Sequence, residues 1–290
     1  MTHFKKTASL TLALILALSL LTGASAATFT DAHGNVIELD DTLEAYTEYA
    51  LLGGDAVRAG ETNLGDFWAD ALLWFAASGA INEYFEEDDV TAGNTSIAVD
   101  ADHIVALWNA GNLKKDVPAG KFGAEALAEV LPYPNTVAVV YMTGAQLLEA
   151  LEAASQGLPC TEDTVACCAS FMQVAGLSYT VDVSKAFDAG EVYKDPWYTV
   201  KSVSRVSITE VNGAAFDQDA LYAVITSNAN FNGMDSSYIF PIAAEENEQS
   251  TITTAVVRDV IWLYIQEVLG NVIPETYSAP QGRIIIEGAE

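Results

Sequence analysis

The hydrophobic residues follow helical spacing in some stretches of the chain and strand spacing in others. In 64–75 they recur every three or four positions, behind Thr62, whose hydroxyl can cap a first turn. The β-branched run 136–142 predicts a strand, and Thr143 with Gln146 three residues later is typical of a capping box that begins a helix. Strand therefore passes directly into helix near the middle of the chain.

Both element types continue along the chain without a strict β-α-β repeat. The Asn212-Gly213 pair is a hairpin signal between two strand-like runs. This mixture predicts an α+β, or mixed α/β, fold with one domain after the N-terminal segment. The remaining elements that the pattern predicts are a hairpin at 28–38, strands at 97–99, 104–108, 173–183, 203–211 and 221–226, and a last helix at 251–269.

The N-terminal segment 1–26 has the order of a cleavable secretory signal. A lysine pair precedes a 12-residue, mainly apolar run at 10–21, and the small residues Ala24 and Ala26 follow. We expect cleavage after Ala26 and a secreted, extracellular mature chain. The run is shorter than the roughly 20 residues that a membrane helix needs, so no membrane span is predicted.

The chain is strongly acidic, with 12 Lys and Arg residues against 40 Asp and Glu residues and a formal net charge of −28. Such a field repels phosphate backbones, so binding to nucleic acid or to anionic membranes is not expected. His33 and His103, the histidines outside the signal, are too few for a His-rich dinuclear metal centre, and no EF-hand spacing occurs. We therefore predict neither a bound metal nor a cofactor.

Three cysteines, Cys160, Cys167 and Cys168, lie together in a loop-like stretch. Export would permit a local disulfide from Cys160 to either Cys167 or Cys168, with one thiol left over. Nucleophilic catalysis by a cysteine would need a His partner, and no recognisable motif surrounds either available histidine. The cysteines are therefore interpreted as structural.

Seven short blocks follow one another along the chain, at 58–66 (RAGETNLGD), 107–114 (LWNAGNLK), 117–120 (VPAG), 130–136 (VLPYPNT), 142–147 (MTGAQL), 171–177 (FMQVAGL) and 282–284 (GRI). In this order they resemble the C-terminal, substrate-binding domain of the 5′-nucleotidase family. The resemblance implies that this domain occupies 57–288, after the signal and a short lead-in at 27–56.

In that family the domain recognises the substrate: two aromatic rings sandwich the base, Asn and Arg hold polar and phosphate groups, and an Asp holds the ribose. The resemblance implies ligand-binding roles for Arg58, at a family arginine position, and for Asn109 and Gly111, which match the motif N-x-G-G-I-R. Lys114 stands where that motif has Arg, which keeps the charge and loses the planar fork. Asp235 matches the Asp of the pattern F-L-x-x-G-G-D-G-Y.

The two stacking positions match the family only in part. Tyr133 replaces a Phe and keeps a ring that can stack on a base. Ala229 occupies the second stacking position, where no ring is left. Phe231, two residues later, would lie on the same side if the segment were extended and would then replace the missing ring.

The resemblance implies a secreted protein of nucleotide catabolism that binds a nucleotide or nucleoside. The metals and the attacking water of the family belong to a separate N-terminal metallophosphatase domain, so hydrolysis is implied only in association with such a domain. Three alternatives stay open. The chain is a subunit that completes an active site with a separate metallophosphatase chain, a scavenging or sensing binding protein, or a degenerate structural or interaction module.

Overall fold

The computed structural model describes residues 26–31, 33–40 and 42–288. The predicted signal at 1–26 lies outside the described residues except for Ala26, so cleavage and secretion stay predictions. Within the described part of the chain, no helix combines the length and the apolar character that crossing a membrane requires.

The helices begin where capping residues satisfy free N–H groups. Thr62 Oγ1 accepts the backbone N–H of Gly65 in the first turn of the longest described helix, and Thr143 and Gln146 form the predicted capping box. Such contacts satisfy donors that have no partner within a helix. The helices of the described residues are α1 (Ala56–Ala59), α2 (Asn63–Ala77), α3 (Glu87–Ala92), α4 (Ala124–Val130), α5 (Gly144–Ala154), α6 (Asn228–Phe231), α7 (Ile239–Glu246) and α8 (Val257–Glu267).

The strands form two larger sheets and three two-stranded pairs. The predicted N-terminal hairpin is one of these pairs, and Asp31 Oδ1 accepts the backbone N–H groups of His33 and Asn35 in its turn. In chain order the strands are β1 (Ala26–Thr30), β2 (Val36–Asp40), β3 (Ala45–Thr47), β4 (Ile104–Asn109), β5 (Gly120–Phe122), β6 (Thr136–Thr143), β7 (Met172–Ala175), β8 (Leu177–Asp182), β9 (Ala189–Lys194), β10 (Trp197–Val200), β11 (Val206–Val211), β12 (Ala214–Ala215), β13 (Leu221–Ser227), β14 (Thr251–Val256) and β15 (Ile284–Glu287).

A five-stranded mixed sheet lies at the centre of the core, in the order β14-β6-β13-β4-β7. Strand β4 runs parallel to β13, and the other neighbours are antiparallel. Every residue of β4 is buried, as expected where helices cover both faces of a sheet. Helix α2 packs on β4 and β7, and helices α5 and α7 pack on β6.

The second sheet has the order β12-β11-β8-β15. Alternate residues of β8 are buried, so one face of this sheet packs on the core. Strands β9 and β10 form a separate antiparallel hairpin. In the two larger sheets of the described chain, parallel pairing is limited to β4 with β13 and β8 with β15. The predicted α+β class is therefore confirmed.

The last predicted helix, at 251–269, is wrong in its first six residues. They form β14, in which buried and more exposed positions alternate and which pairs with β6. Helix α8 begins only at Val257. The β-branched residues of 251–256 favour a half-buried strand at the sheet edge, and this tertiary pairing outweighs the helical spacing that continues into α8.

Other differences concern strands. The predicted strand at 97–99 is not formed, and the predicted strand 173–183 is divided into β7 and β8 by Gly176, which has a φ of +78°. The Asn212-Gly213 turn does form a hairpin, but its second strand is the short β12. Strand β13 instead belongs to the central sheet, where it pairs with β4 on one side and with β6 on the other.

Candidate functional site

A cavity lies at one end of the strands of the central sheet, where three loops meet. Because β4 and β13 are parallel, their last residues, Asn109 and Ser227, lie at the same end of the sheet. Strand β6 is antiparallel to β13 and begins there, with Val137 paired to Ser227. Crevices of this kind, outside the carboxyl ends of parallel strands, are common ligand sites. The loops enclose a cavity of about 500 Å³.

The cavity brings together residues that are far apart in the sequence. Of the seven residues predicted to bind ligand, it is lined by Gly111, Lys114, Tyr133 and Asp235. The structure places the other three, Arg58, Asn109 and Phe231, outside the lining. Further lining residues are Asn112, Pro134, Asn135, Ala169, Asn228, Ala229 and Met234.

Asp235 is the acidic group of the cavity. Its φ of +52° is uncommon for a residue with a side chain and is tolerated best by Asn, Asp and Gly. Burial raises the pKa of its carboxyl, and the cations Lys114, Arg58 and Lys194 oppose that rise. A half-buried carboxylate with a positive φ, on which several cations act, is typical of ligand sites.

Asn109 supports Asp235 from behind the cavity wall. Its side chain is buried, with Nδ2 3.5 Å from Asp235 Oδ2 and Oδ1 accepting a hydrogen bond of 2.8 Å from Asn112 Nδ2. The structure therefore does not place Asn109 where the resemblance implied, in direct reach of a ligand. Its amide instead orients Asp235 and Asn112, both of which line the cavity.

Lys114 and Tyr133 form the mouth of the cavity. The Tyr133 ring is 44% exposed, so it remains open to a stacking partner. Lys114 Nζ lies over this ring, 5.5 Å from its centroid, within the range of a cation–π contact. The backbone N–H of Lys114 donates to Val130 O at 2.8 Å, which ties the loop after β4 to the last residue of α4. The cation thus lies over one face of the aromatic ring.

Arg58 lies near the cavity without lining it. It belongs to the short helix α1, and its Nη1 donates to Val165 O at 3.4 Å. Its charge still helps to oppose the burial-driven rise in the pKa of Asp235. Arg58 therefore contributes to the field of the site from its surroundings.

Phe231 does not replace the missing ring, because the segment is helical. Residues 228–231 form α6, in which positions two apart point to nearly opposite sides. Ala229 lines the cavity, whereas Phe231 packs on the hydrophobic core. The prediction for Phe231 rested on an extended segment and is wrong on that point. Tyr133 is left as the aromatic ring of the lining.

A disulfide constrains the loop that leads to Ala169, one of the residues that line the cavity. Cys160 is bonded to Cys168, and Cys167 is a free, half-buried thiol. Burial, with a smaller effect of Asp195, raises the pKa of the Cys167 thiol, which disfavours the nucleophilic thiolate. Ala169, which follows Cys168, packs closely on Gly111. A Cβ added to Gly111 would lie 2.8 Å from the Ala169 Cβ.

The histidines lie apart from the cavity. His103 packs on Tyr222, with the ring centroids 5.5 Å apart, and His33 lies in the N-terminal turn. Among the described residues, no group of three or more His, Cys, Asp or Glu side chains is arranged to hold a metal ion.

The sequence interpretation did not name Asn112 or Lys194 as residues of the site. Asn112 belongs to the same block as Asn109, three positions later, and this spacing could have marked it. Lys194 comes from the β9–β10 hairpin, which lies outside all seven blocks, and nothing in its local sequence indicates a place near Asp235.

Comparisons with known proteins agree with these observations. Residues 44–245 match the family described as 5′-nucleotidase, C-terminal domain. The trifunctional nucleotide phosphoesterase protein YfkN of Bacillus subtilis (strain 168) is 30% identical over 213 residues, which are 71% of this chain and 12% of that protein.

Solved structures have the same fold. The 5′-nucleotidase precursor from Thermus thermophilus is 25% identical with a TM-score of 0.58, over 85% of this chain and 39% of that one. The NAD nucleotidase of Haemophilus influenzae is 14% identical with a TM-score of 0.57, over 90% of this chain and 48% of that one. This chain therefore corresponds to less than half of each relative. By its family match and its fold, it belongs to the 5′-nucleotidase family and contains the family's C-terminal domain.

Proposed function

We propose that this domain binds a nucleotide or nucleoside in the cavity at the carboxyl ends of β4 and β13. The observation that carries the proposal is the convergence of Lys114, Tyr133 and Asp235, from three separate loops, on one cavity. Its volume of about 500 Å³ lies within the usual range for small-molecule sites. An exposed ring, a cation and a carboxylate are the groups that a base, a phosphate and a ribose require.

The Tyr133 ring supplies the part of the binding free energy that does not depend on which base is bound. Stacking of a base on an aromatic side chain contributes roughly 1 to 3 kcal/mol in proteins that bind single strands. Because Ala229 offers no second ring, we expect weak binding of AMP and adenosine, and a gain when a ring is restored at that position.

We further propose that the bound nucleotide is hydrolysed by groups from a metallophosphatase unit, as the family association and the names of the relatives suggest. Cations and a stacking ring hold a substrate, whereas activation of the attacking water requires a metal ion or a base. In this proposal the protein is exported, and the domain supplies substrate recognition. Turnover of AMP by the purified chain, alone and after addition of a metallophosphatase without such a domain, tests this division.

Isothermal titration of adenosine and AMP tests binding. We expect Tyr133→Ala to weaken both ligands about tenfold, because stacking is lost, and Ala229→Phe to strengthen both by a similar factor. Tyr84→Ala removes another exposed tyrosine, between α2 and α3 and outside the cavity lining, and should change neither affinity. Failure of both ligands to bind at millimolar concentration, or unchanged affinity after Tyr133→Ala, would remove the proposal.

A further inference from the structure

The β9–β10 hairpin carries a lysine to the cavity wall. Lys194 Nζ and Tyr193 Oη both donate to the carbonyl oxygen of Gly233, the latter at 2.9 Å. Lys194 Nζ also lies 4.7 Å from the centroid of the Tyr193 ring. Gly233 precedes Met234 and Asp235, which line the cavity. The ammonium group of Lys194 is therefore held next to the wall instead of moving freely on its stem.

The hairpin itself is attached to the body of the domain. The hydroxyl of Tyr238 accepts a hydrogen bond of 2.9 Å from the backbone N–H of Val200, at the end of β10. The backbone N–H of Tyr198 donates to Gln156 Oε1 at 3.1 Å. These contacts, together with those at Gly233, fix the position from which Lys194 acts.

Lys194 changes the local charge at the site. Lys114, Arg58 and Lys194 all act on the carboxylate of Asp235, the acidic residue of the cavity lining. A phosphomonoester carries about −1.5 to −2 charges at neutral pH, so more than one cation is needed to balance it. Lys194 adds a third cation to Lys114 and Arg58 in a chain whose formal net charge is −28.

The ammonium group has donors to spare. In the described part of the chain, Gly233 O is the only acceptor hydrogen-bonded to Lys194 Nζ, and an ammonium group has three donors. The Gly233 carbonyl already accepts from Tyr193 Oη, so Lys194 is not needed to satisfy that carbonyl. Two donors of the exposed ammonium group therefore remain for a ligand oxygen or for water.

We propose that Lys194 is a specificity residue that makes the cavity prefer a nucleoside monophosphate over the corresponding nucleoside, by binding the phosphate dianion together with Lys114 and Arg58. The proposal rests on the proposed nucleotide-binding function and adds to it the residue that favours the phosphorylated ligand. The phosphate lies, in this proposal, between the hairpin and the loop after β4.

Calorimetric titration of AMP and adenosine, at one fixed salt concentration, tests the role of Lys194. Lys194→Gln removes the charge and keeps much of the stem, so the affinity for AMP should fall about tenfold, the size expected for loss of one charge-assisted hydrogen bond. The affinity for adenosine should change less than about twofold. Lys194→Arg should retain most of the AMP affinity, because the positive charge remains.

Lys201→Gln is the matched control. Lys201 is an exposed lysine just after β10, whose Nζ lies 3.9 Å from Asp188 Oδ1, and its loss should leave both affinities unchanged. An equal loss of AMP and adenosine binding in Lys194→Gln would assign Lys194 to loop support and overturn the proposal. Unchanged AMP binding in that variant would overturn it too. If the unaltered chain binds neither ligand, the proposed function itself fails, whereas adenosine binding without any preference for AMP refutes the inference alone.

Discussion

Lys114 provides the cation of the lining on a flexible stem, where the family motif has a planar guanidinium. Lys114→Arg would add a fork that can bind two phosphate oxygens at once. We expect AMP affinity to rise about three- to tenfold and adenosine affinity to stay the same. Lys115→Arg, next to it but exposed and paired with Glu129 Oε2 at 3.0 Å, is the control. Equal gains for both ligands would indicate stacking of the guanidinium on the base instead of phosphate recognition.

Asp66 is a buried carboxylate in α2, and its Oδ2 accepts the backbone N–H of Gln281 at 2.9 Å. Burial and the neighbouring Glu61 raise its pKa to about 8, and Arg283 opposes this rise. A carboxyl group whose pKa is raised on folding stabilises the fold below its unfolded pKa, near 4, and this contribution is lost as the pH rises towards 8.

Asp66→Asn should therefore remove a pH dependence. We expect the free energy of unfolding of the variant, relative to the unaltered chain, to increase by roughly 1 kcal/mol per pH unit between about pH 5 and 8, below the limit of about 1.4 for one proton. Urea unfolding at pH 5, 6, 7 and 8 measures this difference. Leu73→Ala, in the same helix, changes no ionisable group and should give a difference independent of pH. A flat difference for Asp66→Asn as well would contradict a raised pKa.

At the residue scale, the sequence predicted those site residues whose backbone position alone decides their role. Gly111, Lys114, Tyr133 and Asp235 lie in loops, and their blocks carry them to the cavity. Asn109 differs because it ends a fully buried strand, so its side chain acts on the site through Asp235 and Asn112. A matching motif does not report such burial.

Helix α5 shows how much one element depends on its first residues. Its capping box begins the helix directly after β6, and its buried Glu152 accepts the backbone N–H groups of Arg205 and Val206, through Oε2 at 3.0 and 2.8 Å. The position of α5 therefore also sets the position of β11. The local signals of Thr143 and Gln146 were sufficient to predict this helix.

Thr143→Ala removes the hydroxyl that accepts the backbone N–H of Gln146 in the capping box. We expect the free energy of unfolding to fall by about 1 kcal/mol, the usual cost of losing an N-cap hydroxyl. Thr143→Ser keeps a hydroxyl at the same position and should recover most of this loss. Chemical denaturation of the three proteins measures both effects, and an equal loss in the alanine and serine variants would point to the lost methyl group instead of the cap.

Elements that depend on distant partners were predicted less well. The segment 251–256 becomes a strand because it pairs with β6, far earlier in the chain, at the edge of the central sheet. Residues 228–231 form α6, whereas the role considered for Phe231 required an extended segment. Neither the edge nor the helical turn is visible in a local pattern. The cavity likewise results from the parallel pairing of β4 with β13, which brings together loops that are distant in the sequence.

On the scale of the whole molecule, two opposing fields act on an anionic ligand. The formal charge of −28 repels AMP from a distance, while the cations near Asp235 attract it at close range. Salt distinguishes them, because the Debye length is about 30 Å at 0.01 M and about 10 Å at 0.1 M ionic strength. The added salt screens the distant charges of the chain much more than the few cations next to the ligand.

We therefore expect AMP to bind at least about threefold more tightly at 0.1 M than at 0.01 M ionic strength, the reverse of what a basic binding surface would give. Adenosine, which carries no charge, should change less than about twofold. Titration of both ligands across this salt range at constant pH measures the effect, with adenosine as the internal control. A steady loss of AMP affinity from the lowest salt upwards would mean that the local cations outweigh the acidic surface even at long range.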